Sequence, residues 1–162
     1  MEYPRRELKM IYYLKYLEMH PPTGNLNSNI SIVSAISFVS AYKAIYEQIG
    51  EILDWRSKAK WTLSEWGRHL RQSHIRGFIL FFNNQPAGIY EIIDWPDSIE
   101  IYYFCISPHF QGCGLSRLML RHAISQVEIS RLGHLWLKTN SNDHQRALPL
   151  YLSEGFFVWN MK

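Results

Sequence analysis

The feature that most constrains this chain is a strand, a glycine loop and a helix in immediate succession between Ile99 and Val127. Ile99-Glu100-Ile101-Tyr102-Tyr103-Phe104-Cys105-Ile106 is rich in β-branched and aromatic residues and reads as a strand. Ser107-Pro108-His109-Phe110-Gln111-Gly112-Cys113-Gly114 breaks it, and Leu115, Leu118, Met119, His122, Ala123 and Val127 then recur at helical spacing. A strand that passes through glycines into a helix N-terminus builds a cradle of backbone N–H groups suited to phosphate oxygens. The spacing Gln-x-x-Gly-x-small is not that of the common nucleotide loops. Leu115 stands where a P-loop needs lysine, and Arg117 stands where a dinucleotide loop needs its third glycine.

The rest of the chain supplies partners for this unit. Leu8 to Met19 reads as a first strand closed by His20-Pro21-Pro22-Thr23-Gly24, and Gly24 to Asn29 as a polar loop. Ile30 to Ile36 is a candidate strand. Phe38 to Ile49 carries Phe38, Tyr42, Ile45, Tyr46 and Ile49 at helical spacing, with Ser37 as N-cap and Gly50 as stop. Thr62-Leu63-Ser64-Glu65 is a capping box opening a helix to about Gln72. Ile75 to Phe82 and Ala87 to Ile93 form a hairpin, and Trp95-Pro96-Asp97-Ser98 turns into the strand at Ile99. Helix, strand, helix and a short strand follow. This order predicts one α/β domain over residues 1–162: a mixed twisted sheet flanked by helices, antiparallel early and parallel where helices cross over.

Composition excludes several classes. Apolar residues make 47% and aromatics 15%, which rules out a disordered chain. A net charge of +3 without a long Lys/Arg run argues against nucleic-acid binding. The apolar stretch Ile30 to Tyr46 is short, Ser-rich and interrupted by Lys43, so no membrane span is expected. Ile11 to Met19 lacks a cleavage site for a secretion signal. Cys105 and Cys113 form no disulfide framework and suit a reducing, cytoplasmic setting. The seven histidines show no zinc spacing, so no metal site is expected.

The Gln111–Ser116 loop resembles the coenzyme A loop of the GNAT superfamily, the N-acetyltransferases related to histone acetyltransferases. A second segment, Ala147-Leu148-Pro149-Leu150-Tyr151 followed by Gly155-Phe156, is similar to the family's second signature, one helix and one strand downstream. Gln85-Pro86-Ala87-Gly88-Ile89-Tyr90-Glu91 and the Tyr103-Phe104 pair resemble a bacterial subgroup. The likeness runs from about Phe38 onward, and is loose before it, through Tyr16-Leu17-Glu18-Met19. It implies the acyl-CoA N-acyltransferase fold and transfer of acetyl from acetyl-CoA to a primary amine, by direct attack in a ternary complex. The acceptor class stays open: a small-molecule amine, a peptide N-terminus or a lysine.

The resemblance also implies roles. Glu100, in Glu-Ile-(x)4-Ile-Ser, takes the place of a histone-acetyltransferase base, with Glu91 on the neighbouring strand as the second choice. Strand alternation puts Glu100, Tyr102, Phe104 and Ile106 on one face, where aromatic surroundings would raise a carboxylate's pKa. A backbone N–H near Cys105 or Ile106, freed by a splay or bulge, would serve the oxyanion, with Ser107 beside it. Tyr151 would protonate the leaving thiolate. Gln111, Gly112, Cys113, Gly114, Leu115, Ser116 and Arg117 would cradle the pyrophosphate, with His144 nearby.

Four departures carry expectations of their own. Cys113 occupies a common arginine position, which Arg117 or Arg121 would cover. His144 replaces a frequent asparagine. Pro149 requires that its helix kink, or start late enough to put the proline in its first turn. The chain ends seven residues after Gly155, so the closing strand pair is half present. That shortened C-terminal strand region implies an open edge, or one covered by a second subunit in a homodimer. Trp55, Trp61 and Trp66 either pack the core or line an acceptor pocket. A non-catalytic acyl-CoA sensor and an interaction domain remain open as alternatives to an enzyme.

Overall fold

A computed structural model of the chain describes residues 9–17, 26–127 and 134–162. Glu18, Met19 and the turn at His20–Gly24 lie outside the described residues. Among the described residues seven strands and four α-helices run in the order β1 (Ile11–Tyr16), β2 (Ile30–Ser34), α1 (Val39–Leu53), α2 (Leu63–Leu70), β3 (Ile75–Phe82), β4 (Gln85–Asp94), β5 (Ser98–Ile106), α3 (Leu115–Ser125), β6 (His134–Asn140), α4 (Ala147–Ser153) and β7 (Phe156–Met161). The strands form one sheet in the order β2-β3-β4-β5-β6-β1-β7.

Strands β2 through β5 pair antiparallel, and β5 pairs β6 in parallel across the α3 crossover. β1 is antiparallel to both β6 and β7, with Leu14 opposite Leu137 on one side and Val158 on the other. The expected half-strand-pair after Gly155 is present as β7, but the first strand fills the place beside it. β7 stands at the end of the sheet and pairs with β1.

Two apolar clusters sandwich the sheet. One packs Leu115, Met119, Leu120, Ala123 and Ile124 of α3 against Leu14, Tyr90, Ile92, Ile99, Ile101, Leu135 and Leu137. The other packs Tyr42, Ile45, Tyr46 and Ile49 of α1 and Trp66 and Leu70 of α2 against Ile79, Ile89, Tyr103 and Cys105. Burial of these side chains contributes about 1.5–3 kcal/mol each before entropy is charged.

Local chemistry explains most boundaries. Thr62 and Glu65 form the reciprocal capping box that opens α2. Helix α1 differs from expectation at both ends. Ser34, not Ser37, caps the short 3-10 turn Ala35–Phe38 that leads into it. The helix also passes through Gly50 to Leu53 and stops at Asp54, whose φ is 59°. Gly50 is needed for closeness rather than as a stop: a Cβ there would meet the Trp55 carbonyl oxygen at 3.1 Å.

Among the described residues no helix is long and apolar enough to cross a membrane, and no group of His, Cys, Asp or Glu could hold a metal ion.

Candidate active site

The site begins where a parallel strand pair comes apart. β5 and β6 pair from Ser98–His134 to Ile101–Leu137, and beyond that their residues separate to form the two walls of a cleft. The divergence coincides with a bulge. In the β4–β5 ladder Glu91 faces Tyr102 and Ile89 faces Cys105, so Tyr103 and Phe104 together oppose Tyr90. Tyr103 takes a φ of 48°, a left-handed conformation that is costly for an aromatic residue.

This bulge overturns the expected alternation. Ile99 and Ile101 face α3, which leaves Glu100 and Tyr102 on the α1/α2 side. Tyr103 joins them there, after which Phe104 and Ile106 switch to the α3 side and Cys105 to the α1 side. The four residues read as one face are split in two.

The cleft encloses about 1690 Å³ and runs from the β5 bulge over the glycine loop to α4. Of the residues singled out in the sequence, Cys105, Ile106, Gln111, Gly112, Gly114, Leu115, Ser116, Arg117, His144 and Tyr151 line it. Ser107 is buried behind the wall and donates from Oγ to Gln48 Oε1 at 2.8 Å, tying the loop to α1. Cys113 is exposed and does not line the cleft.

The loop has the properties of an anion cradle. Gly112 and Gly114 sit at φ 81° and 75°, and a Cβ at either would meet nothing within 4 Å. Side chains other than glycine are strained there even though the space is free. Helix α3 starts at Gly114 without a side-chain cap, so its first N–H groups keep their capacity to bind an anion.

Arg117 and Arg121, the candidates to cover the missing arginine at position 113, both pair with one carboxylate of the chain. Arg117 Nη1 pairs with Glu154 Oε1, and Arg121 Nε donates to Glu154 Oε2 at 2.8 Å. Glu154 is buried, and the pair clamps α3 to the end of α4.

Pro149 is the third residue of α4, which starts only at Ala147. The late start places the proline in the first turn, where its missing N–H leaves no hydrogen bond unmade. Tyr151 is therefore not displaced by a kink. It is buried between Phe104 and Phe156, with ring centroids 6.0 and 6.1 Å away, and lines the cleft. Burial, with a smaller contribution from Asp143, pushes its phenol well above the usual tyrosine range.

Neither glutamate lines the cleft. Glu100 is buried; Trp95 Nε1 donates to its Oε2 at 3.0 Å, and its Oε1 has no partner among the described residues. Desolvation raises its pKa, opposed by the Trp95 hydrogen bond and the charge of Lys138. Glu91 is fully buried under α1 and α2. It accepts from Tyr42 Oη at 2.8 Å and sits 2.9 and 3.0 Å from His69 Nε2. That nitrogen is in turn 3.4 Å from Lys58 Nζ.

Sequence reading missed Tyr42 and His69, because only packing of α1 and α2 on β4 brings them to Glu91. The tryptophan set divides: Trp55 lines the cleft, Trp61 is half-buried, and Trp66 is core. Lys9, Ile11 and Tyr13, at the start of β1 and just before it, also reach the cleft.

Known proteins share this frame. The curated [Ribosomal protein bS18]-alanine N-acetyltransferase of Salmonella typhimurium is 33% identical over 60 residues, which is 37% of this chain and 40% of that protein. A GNAT-family putative acetyltransferase from Novosphingobium aromaticivorans superposes with a TM-score of 0.67 at 16% identity, over 94% of this chain and 61% of that one. The ribosomal-protein-S18-alanine N-acetyltransferase of Escherichia coli gives 0.60 at 21% identity, over 78% and 76% of the two chains. An aminoglycoside acetyltransferase from an uncultured soil metagenomic sample gives 0.67 at 12% identity, over 80% and 90%. The chain thus spans less than two thirds of the length of the first of these relatives, and the structural likenesses speak for the fold. The profile of the Acetyltransferase (GNAT) family matches residues 38–156, nearly three quarters of the sequence and all of the glycine loop, β6 and α4. The chain belongs to the GNAT acetyltransferase family.

Proposed function

We propose that this protein is an N-acetyltransferase that moves an acetyl group from acetyl-CoA to a primary amine by direct attack in a ternary complex. The observation that carries this reading is the meeting, in one cleft, of an uncapped helix start with two left-handed glycines, a bulged strand and a buried tyrosine. The open space above Gly112 and Gly114 fits a pyrophosphate, which a Cβ on either would crowd. Backbone N–H groups of Gly112 to Ser116 would hold it, with Gln111, Arg117 and His144 at the margins. Bound acetyl-CoA supplies an activated thioester.

The chain's own residues divide the remaining work. The separation of β5 from β6 beyond Ile101 leaves backbone N–H groups near Cys105 and Ile106, on the β6 side, for the developing oxyanion. Tyr151, with its raised pKa, holds a proton for the departing thiolate at any physiological pH. Of the two carboxylates, Glu91 is linked toward the cleft wall, through His69 Nε2 and the Lys58 ammonium that lies over the Tyr103 ring. The acceptor's proton passes to the His69–Glu91 pair, and Glu100 is the second candidate. The relatives that modify ribosomal proteins favour a cytoplasmic setting and a peptide or small-molecule amine acceptor.

The test is calorimetric titration of acetyl-CoA into the wild type and a Gly114→Glu variant. Micromolar binding by the wild type, lost in a variant that still melts cooperatively, supports the cofactor loop. No binding by the wild type sinks the acetyltransferase reading, and binding without turnover on a panel of amines would leave an acyl-CoA sensor.

A further inference from the structure

Lys58 lies on the connection between α1 and α2, just after Trp55, Arg56 and Ser57, which line the cleft. Its side chain turns inward rather than into solvent. The ammonium sits 4.5 Å from the ring centroid of Tyr103, 5.0 Å from Trp61, 5.6 Å from Trp66 and 6.0 Å from Tyr102. Four π faces or edges around one cation make an aromatic cage, a device that selects an ammonium group over a neutral one. Two of its walls, Tyr102 and Tyr103, are also walls of the cleft.

The floor of the cage is an acid–base pair. His69 Nε2 lies 3.4 Å from Lys58 Nζ and 2.9 Å from Glu91 Oε1. Trp61 and Trp66 contact the same imidazole ring at 5.4 and 5.8 Å. An amine seated here has a recognition site for its charged form and a route for the proton that it must lose. Those are the two demands an acceptor makes on an acetyltransferase.

We propose that the cage around Lys58 Nζ is the subsite for the acceptor's ammonium group, that Lys58 occupies it from within the chain, and that the acceptor is an unbranched primary alkylamine of lysine-side-chain type. The proposal rests on the acetyltransferase reading and narrows its substrate class. Lys58 is suited to be an occupant that leaves. Among the described residues no carboxylate lies within ion-pair distance of its Nζ, and its connection is held by short turns, with Ala59 N donating to the Arg56 carbonyl at 3.2 Å. Burial also pulls its pKa down, against the attraction of Glu91, which eases loss of the proton from an ammonium once it is seated.

The experiment is cavity complementation. Lys58→Ala empties the cage, and n-butylamine is the probe, followed by tryptophan fluorescence and by acetylation of the amine in the presence of acetyl-CoA. The proposal expects the KM for n-butylamine to fall at least about tenfold in the variant, the response to removing a resident competing cation. Trp61→Leu on the Lys58→Ala background should abolish that gain. If Lys58→Ala does not fold, Lys58→Gln keeps the packing without the charge and should show a smaller tightening. An unchanged or raised KM in a folded Lys58 variant that still binds acetyl-CoA overturns the cage alone. Loss of acetyl-CoA binding by the wild type would instead remove the acetyltransferase reading beneath it.

Discussion

Tyr102 and Tyr103 are consecutive in a strand yet project to the same face of the sheet, their ring centroids 4.1 Å apart. Period-two alternation forbids this unless a residue is inserted, and the inserted residue is Tyr103 with its φ of 48°. Its strain, of order 1–3 kcal/mol, is offset by packing against Tyr46, Trp55 and Tyr102. The bulge sets the cleft's geometry, because everything beyond Tyr103 on β5 is turned over relative to everything before it.

Tyr151→Phe removes a hydroxyl and nothing of the packing against Phe104 and Phe156. Steady-state kinetics should show kcat lower by about 10²-fold, with acetyl-CoA affinity unchanged. Because burial raises the phenol's pKa, the wild type should show no alkaline limb from this group below pH 10. Wild-type activity in the variant would assign the proton to water instead.

The two glutamates separate by substitution. Glu91→Gln preserves an acceptor for Tyr42 and His69 but cannot take a proton, so kcat/KM should fall about 10²-fold while the fold survives. Glu100→Gln should leave kcat/KM within about threefold of wild type. The reverse pattern would restore Glu100 as the base.

Glu100 also makes a pH prediction. Its folded pKa is raised, so the folded state binds the proton more tightly than the unfolded chain does. Stability attributable to this group is full below the ordinary carboxylate range and is lost as pH rises from the unfolded pKa through the folded one. Glu100→Gln should therefore raise Tm at pH 7. The gain should vanish near pH 3–4, where the wild-type carboxyl is already protonated; a gain independent of pH would refute the cause.

Glu154→Gln detaches both arginines from the end of α4. With Glu154 buried and the two guanidinium groups partly exposed, the loss should be about 1–2 kcal/mol rather than the full cost of breaking a buried pair. Urea unfolding should show a lower midpoint at an unchanged m-value. An unshifted midpoint would mean that the clamp contributes nothing.

Local chemistry could be read from the chain without its fold. The glycine loop, the capping box at Thr62–Glu65, the hairpin from Ile75 to Ile93 and the choice between a kink and a late start that Pro149 forces on α4 each depend on a few neighbouring residues. Turn, cap and proline energies act over that same short range, so sequence was enough for them.

Other features depend on contacts between segments far apart in sequence. Gly50 reads as a helix stop until Trp55 is seen to need its missing Cβ. Arg117 and Arg121 read as phosphate partners, and nothing local to them shows that both also pair with Glu154, more than thirty residues on.

Sequence by itself determined the strand–loop–helix cradle, the two signatures and the α/β order, because those are written in propensity and spacing. Tertiary structure alone decided that β1 stands between β6 and β7, that β5 turns over at Tyr103, and that Glu91 meets His69, Tyr42 and the Lys58 cage. Those outcomes arise from packing, where a side chain's role is set by whatever the fold brings against it.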